Sequence, residues 1–387
     1  MPDLDTNLLM IPGPVPVHPR VFRVMSKPIF GHRTEYYREI LQKTIKMLKT
    51  IMKIKTHDVF IFAGSGTLSL HAAMANLVEP GDKLLNCVNG KFSERTSAIA
   101  EKFGGKVIPL IREWGQPILP EDVKKALDED PEIKIVTLCH NETSTGILNP
   151  LREIGQVVKD HDALMVADGI TSVGGDEAFP ELMNTDMMIS GSQKCLGIPP
   201  GLAVLSVGPD AWETIENRTT PASDYYTDLV TYKKKWDNDH DTPWTSATTL
   251  IQGLKESLTI MLEEGYENRV ARHRLLAKAL REGIKATGLE LFANENYASN
   301  TVTSVRYPEG LNEGEFMNRM SAKWSVIVAA AQPPYKGEFF RIATMNLCLP
   351  RDVLATLAVL EMVLTELGCE VKLGAGVAAA QQVFLES

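Results

Sequence analysis

Two side chains, Asp168 and Lys194, have the types and spacing for chemistry between an amine and a carbonyl. Asp168 closes the apolar run 163–167, and Lys194 follows one helix and one strand later. Lys194 lies in Ser190-Gly191-Ser192-Gln193-Lys194-Cys195-Leu196-Gly197, ahead of Pro199-Pro200-Gly201. Small residues and a tight turn suggest an inward-facing side chain. A lysine removed from water has a lowered pKa and attacks aldehydes. A carboxylate facing a pyridine nitrogen keeps that nitrogen protonated and makes the ring an electron sink. Taken singly, each residue has an ordinary reading, a solvated loop lysine and a helix-capping acid. Their joint placement carries the argument.

Four further groups stand after apolar runs or inside one. Gly64-Ser65-Gly66-Thr67 joins a strand to a helix, so backbone N–H groups and hydroxyls could face an anion with the helix dipole behind them. Phe92, in Asn89-Gly90-Lys91-Phe92, offers a flat ring to a flat ligand, or fills core. His140-Asn141-Glu142-Thr143-Ser144-Thr145-Gly146 could supply a hydroxyl to a phenolic oxygen, or cap a turn. Arg341, in Glu338-Phe339-Phe340-Arg341-Ile342, has the fork that grips a carboxylate in two places.

These groups need a scaffold that ends several strands at one edge. Apolar runs at 59–62, 84–88, 134–139, 163–167, 187–189 and 201–207 alternate with helical stretches. Strands this apolar indicate a mostly parallel sheet covered on both faces, hence an α/β domain. Ligands bind such sheets at the carboxyl ends of the strands. From Glu263 to Thr287, Val270, Leu275, Leu276, Leu280 and Ile284 predict one long amphipathic helix bridging two domains. Then come a strand at 301–306, a helix at 312–321, a strand at 325–329, Arg341 in another strand and a helix at 351–367. That order predicts a small α+β domain. The division is an N-terminal arm at 1–16, a large domain at 17–264 and a small C-terminal domain at 265–387.

Composition excludes several classes. The chain has 387 residues and a net charge of −9, which argues against nucleic-acid partners. Lys233-Lys234-Lys235 is answered by Asp237, Asp239 and Asp241, and reads as a solvated face. The start MPDLDTNLLMIPGP lacks the pattern of a secretory signal, and no run is long and apolar enough to span a membrane. Cys87, Cys139, Cys195, Cys348 and Cys369 are scattered and show no CxxC spacing. That fits reduced thiols in the cytoplasm and argues against a metal site.

In order and spacing, Ile11-Pro12-Gly13-Pro14, GSGT, NGKF, HNETSTG, the Asp168 segment, GSQK and FRI resemble the class V, fold-type I pyridoxal-phosphate aminotransferases. This is the family of alanine–glyoxylate and serine–pyruvate aminotransferases and of archaeal aspartate aminotransferases. The likeness runs from about residue 10 to about residue 370. It implies pyridoxal 5′-phosphate as cofactor, an amino acid and a 2-oxo acid as substrates, and a homodimer with shared active sites. It matches Lys194 to the lysine that carries the cofactor and Asp168 to the acid at the ring nitrogen. Ser65, Gly66, Thr67 and Gln193 match the phosphate-binding groups, and Thr245 a phosphate contact donated by the second subunit. Phe92 matches the stacking ring, Thr143 the hydroxyl at the ring oxygen, Arg341 the carboxylate clamp, and Gly13 the substrate side of the arm. Arg33, in Gly31-His32-Arg33, is the candidate second cation for a dicarboxylate, with pairing to an acid such as Glu35 as its ordinary alternative. Three departures stand out. Asp168 is followed by Gly169-Ile170-Thr171-Ser172, Arg341-Ile342 is followed by Ala343-Thr344-Met345-Asn346, and no tyrosine precedes Thr245, where Thr242 and Pro243 stand. The last two are expected to shape the substrate pocket. Alternatives on the same fold are a cysteine desulfurase-like lyase and a pyridoxamine–pyruvate type enzyme. The first wants histidines where Phe92 and Gln193 stand; the second lacks a good phosphate turn, which is intact here. A non-catalytic regulator would want a DNA-binding module before residue 10.

Overall fold

The computed structural model describes residues 7–387. Its strands, in chain order, are β1 (Leu8–Leu9), β2 (Asp58–Ala63), β3 (Lys83–Val88), β4 (Lys106–Ile111), β5 (Ile133–Cys139), β6 (Asn141–Glu142) and β7 (Ile147–Leu148). After them come β8 (Leu164–Asp168), β9 (Met187–Gly191), β10 (Leu202–Val207), β11 (Val302–Arg306), β12 (Val326–Ile327), β13 (Ala329–Ala330) and β14 (Phe339–Ala343). A seven-stranded sheet runs in the order β2-β10-β9-β8-β5-β3-β4. Only β10 runs against its neighbours β2 and β9; the other pairings are parallel. This is the mostly parallel α/β architecture expected from the apolar runs.

Side chains of one strand point alternately to the two faces of a sheet. Ile61, Val136, Met165 and Val204 accordingly enter one core, while Phe62, Ile135, Val166 and Leu205 enter the other. Burial on both faces explains why these strands read as continuous apolar runs. The edge strand β4 was not among them. Pro109 interrupts it, and only an edge position tolerates a residue with no N–H to give to a second neighbour.

The helix expected from Glu263 to Thr287 is the helix Tyr266–Ala286; Glu263 and Glu264 instead end the preceding helix, Thr248–Glu264. Gly265 separates them with φ +83 and ψ 128, a conformation closed to other residues without strain. Tyr266 and Val270 still pack in the large core, whereas Leu276, Leu280 and Ile284 pack in the small one. One helix therefore belongs to both units.

In the smaller unit β11, β14 and β13 form an antiparallel sheet. The single strand expected at 325–329 is split between two partners: β12 pairs with β1, and β13 with β14. The helix Ala375–Leu385, not read from the sequence, closes this core with Ala380 and Val383. The arm starts here too. Residues 1–6 of it lie outside the described residues. From residue 8 it pairs with β12, and the Ala343 amide donates to the Met10 carbonyl at 2.7 Å. Lys233 and Lys235 lie on the helix Leu229–Asp239, paired with Asp58, Asp237 and Asp239, so the basic run is a helix face.

Gly265→Ala should lower stability by about 1–2 kcal/mol. The check is a urea unfolding curve with a lower midpoint and unchanged slope; an unmoved midpoint would show that the break tolerates a side chain.

Candidate active site

Strands β2, β3, β5, β8 and β9 run in one direction, so their carboxyl ends share one edge. Lys194 stands three residues beyond β9, at the centre of that edge. Its ammonium donates to the Pro12 carbonyl of the arm and, among the described residues, pairs with no carboxylate. Burial pushes its pKa down to about 8, and the Arg341 charge acts the same way. The arm is fitted to this side chain. Gly13 has φ +103, and a Cβ there would fall 2.5 Å from Lys194 Cδ.

Asp168 ends β8 with its Oδ1 accepting the Ile170 amide at 2.9 Å. No cation bonds it. Burial raises its pKa to about 6, with Glu142 adding to the rise and Arg95 and Lys194 opposing it. A carboxylate so placed gains from any cation that enters the site.

The Gly64–Thr67 turn leads into the helix Gly66–Leu77, whose N-cap Ser65 is exposed and makes no side-chain cap bond. A helix N-terminus without a side-chain cap leaves backbone amides for an anion to accept from. Gly66 and Gly191 approach so closely that a Cβ on Gly191 would lie 3.0 Å from Gly66 Cα. Gln193 follows, with a buried Oε1 that accepts no hydrogen bond. Thr67 Oγ1 accepts from Arg95 at 3.0 Å.

Phe92 lies in the first turn of the helix Lys91–Lys102. That turn is held by Glu142, fully buried, whose carboxylate accepts from the Ser93 amide at 2.8 Å and from Ser144 Oγ at 2.6 Å. Gly90 makes room for it, since a Cβ there would fall 2.3 Å from Glu142 Cγ. Thr143 is buried with its hydroxyl 2.9 Å from Thr171 Oγ1. Its carbonyl accepts from Arg341 Nη1 at 3.2 Å, and the Ala330 carbonyl accepts from Nη2 at 2.7 Å. Arg341 is 5% exposed, its Nε bonds nothing and no carboxylate pairs with it among the described residues. Burial lowers its pKa to about 10, so it stays charged at neutral pH.

Lys194, Asp168, Gly13, Phe92, Thr143, Gln193, Arg341 and the Ser65–Thr67 turn thus meet at one edge. Thr245 and Arg33 do not join them. Thr245 is exposed, and Arg33 pairs with Asp241 at 3.1 Å, while Glu35 goes to Arg38. The departure after Arg341 lies behind the Lys194 turn, not in the pocket. Ala343 and Met345 pack with Val15 and Cys195, and Asn346 bonds the Pro16 carbonyl and the buried Arg269. Sequence reasoning missed Arg95, although its position one helical turn after Phe92 was a usable signal. It also missed the capping role of Glu142, for which the sequence holds no signal, because the helix it caps lies 50 residues upstream.

A family model described as Aminotransferase class-V matches residues 27–328. An uncharacterised aminotransferase of Methanocaldococcus jannaschii is 46% identical, over 99% of this chain and 99% of its own length. A (S)-ureidoglycine–glyoxylate transaminase of Bacillus subtilis is 33% identical, over 97% of this chain and 95% of its own. The crystal structure of pyridoxamine–pyruvate aminotransferase from Mesorhizobium loti superposes with a TM-score of 0.93 at 29% identity, covering 98% of this chain and 97% of that one.

The lowered Lys194 pKa has a direct readout. Below it the amine is protonated and unreactive; above it the free amine attacks. Cofactor-free protein should therefore show one lysine whose reaction with a carbonyl reagent rises through a midpoint near pH 8 and vanishes in Lys194→Ala. A midpoint near that of ordinary lysines would contradict the burial described.

Proposed function

Because the chain belongs to the class V aminotransferases, which depend on pyridoxal 5′-phosphate, we propose that it moves an amino group from a small amino acid to a 2-oxo acid by a ping-pong mechanism. The donors are alanine, serine or aspartate, and the acceptors glyoxylate, pyruvate or 2-oxoglutarate. One observation carries the reading: Lys194, Asp168 and Arg341 converge without an ion-pair partner for any of them among the described residues.

Each unsatisfied group suits one part of the cofactor. The open turn at Ser65, Gly66 and Thr67, with Gln193, would take the phosphate. Asp168 would face the ring nitrogen, Phe92 the ring face and Thr143 the ring oxygen. When bound, the cofactor supplies an aldehyde that takes up amino groups and a protonated ring that withdraws electrons. Lys194 would hold the cofactor at its aldehyde through Nζ. The same Nζ, when free, would move the proton from the donor's Cα, which a depressed pKa allows near neutral pH. Asp168 would keep the proton on the ring nitrogen. Arg341 binds the α-carboxylate through its fork and so turns the Cα–H bond into position.

Thr245 is assigned to the phosphate held by the partner subunit, which makes the assembly a homodimer with shared sites. The pairing of Arg33 with Asp241 favours donors with a single carboxylate, so alanine and serine stand ahead of aspartate. Names of relatives extend glyoxylate and pyruvate to this chain as acceptors. The pyridoxamine–pyruvate alternative stands behind this reading because the phosphate turn is intact and carries Arg95. The lyase alternative stands behind it because Phe92 and Gln193 occupy the histidine positions. No helix among the described residues is long and apolar enough to cross a membrane; we assign the enzyme to the cytoplasm.

Asp168→Asn should keep cofactor yet lose on the order of a hundredfold or more in turnover, since an amide cannot hold the ring nitrogen protonated. Near-normal turnover would remove Asp168 from this role. In a screen of amino acids against the three oxo acids, Arg341→Ala should raise KM about tenfold to a hundredfold for every donor alike. A factor that varies strongly among donors would mean that Arg341 reads the side chain instead.

A further inference from the structure

Arg33 and Asp241 form a clamp whose purpose lies four residues beyond Asp241. Asp241 has no exposed side-chain surface. Its Oδ2 pairs with Arg33 at 3.1 Å and with Arg38 at 3.6 Å, and its Oδ1 accepts the Thr242 amide at 2.8 Å. The Arg33 fork also spans the next two residues, donating to the carbonyls of Thr242 and Pro243, the latter at 2.9 Å. Thr242 Oγ1 bonds the Trp244 carbonyl at 2.9 Å and lies 2.6 Å from Ser246 Oγ. Trp244 in turn donates its indole N–H to the Tyr226 carbonyl at 2.8 Å. Every residue of this segment is tied except Thr245, whose side chain is exposed and bonds nothing among the described residues.

A surface loop ordinarily leaves its polar groups to water. Burying a carboxylate and spending a guanidinium on two carbonyls, with one hydroxyl left projecting, is the arrangement that presents a group to a second body. We propose that Arg33 is a positioning residue for the cofactor phosphate of the partner subunit, acting through Asp241 and the 242–246 segment on Thr245. The inference rests on the reading of Thr245 as a phosphate contact across the dimer. It gives Arg33 a different role from the dicarboxylate cation considered from the sequence. Its contacts with Asp241 and both carbonyls hold the planar fork against the 242–243 backbone.

The test titrates cofactor-free dimer with pyridoxal 5′-phosphate and, separately, with pyridoxal, following tryptophan fluorescence. Thr245→Ala and Arg33→Ala should each weaken binding of the phosphorylated form about tenfold, the loss of one bond to a charged group. Neither should alter pyridoxal binding, which a general loss of structure would weaken. The double variant should bind like either single one, because both changes remove the same contact. Silence of Thr245→Ala would sink the shared-site reading and the clamp with it. A clear effect of Thr245→Ala beside an unchanged or additive effect of Arg33→Ala would overturn the clamp alone. So would a selective loss of activity on aspartate with cofactor affinity intact. Should Arg33→Ala fail to fold, Arg33→Lys decides. It keeps a charge beside Asp241 but cannot span two carbonyls, and it should weaken only the phosphorylated form.

Discussion

An amine buried without a carboxylate is the constraint around which this molecule is arranged. Desolvation disfavours the charged form of Lys194, so the side chain is held where reaction with a carbonyl is favourable. Maintaining that state needs three things at once. The turn after β9 must be tight, the nearest acid must stay out of bonding range, and something must cover the side chain from solvent. The arm supplies the cover through Pro12 and Gly13. Asp168 is close enough for its field to be felt yet spends its bond on the Ile170 amide. A direct Lys194–Asp168 pair would satisfy both charges and leave neither with work to do.

That cover explains the path of the chain's first residues. The arm leaves the small sheet at β1, passes the Met10 carbonyl to Ala343 and then lies against Lys194. Asn346 fixes it again at Pro16, and Arg269 ties Asn346 to the Cys195 carbonyl directly beneath the reactive turn. The Ala343–Asn346 departure is therefore a mechanical link between the two units. Its residues act on how the arm sits over Lys194 and not on what the substrate touches.

The large sheet was legible because strands buried on both faces are uninterrupted apolar runs, and the polar residues ending them stood out against that background. Asp168, Lys194 and the Ser65–Thr67 turn were visible for this reason. Where burial is one-sided or an edge is solvated the signal fails. Pro109 hid β4, and the alternation in 325–329 could not reveal that its two halves pair with different strands. The break at Gly265 lies two residues beyond the expected helix start, because Met261 before it and Tyr266 after it pack in one core and the apolar spacing runs on. Partners distant in sequence were invisible altogether. Nothing near Arg33 points to Asp241, and nothing in HNETSTG says that its glutamate caps the helix carrying Phe92.

Discrimination among donors must follow from what is left over once these commitments are met. On the proposed assignment Arg341 would meet the group that every amino acid shares, so its contribution would be the same for all and select none. Selection falls to the walls, where one methylene changes binding by about 1–3 kcal/mol. A second carboxylate is a larger matter, because burying a charge without a partner costs far more than a methylene brings. Within one chain Arg33 is already spent on Asp241, Thr242 and Pro243, and Arg95 serves the phosphate end beside Thr67. Among the described residues these two cations already have partners, so a dicarboxylate's second charge would have to compete for them. A small side chain meets no such penalty, and on the proposed assignment this difference in desolvation ranks alanine and serine before aspartate.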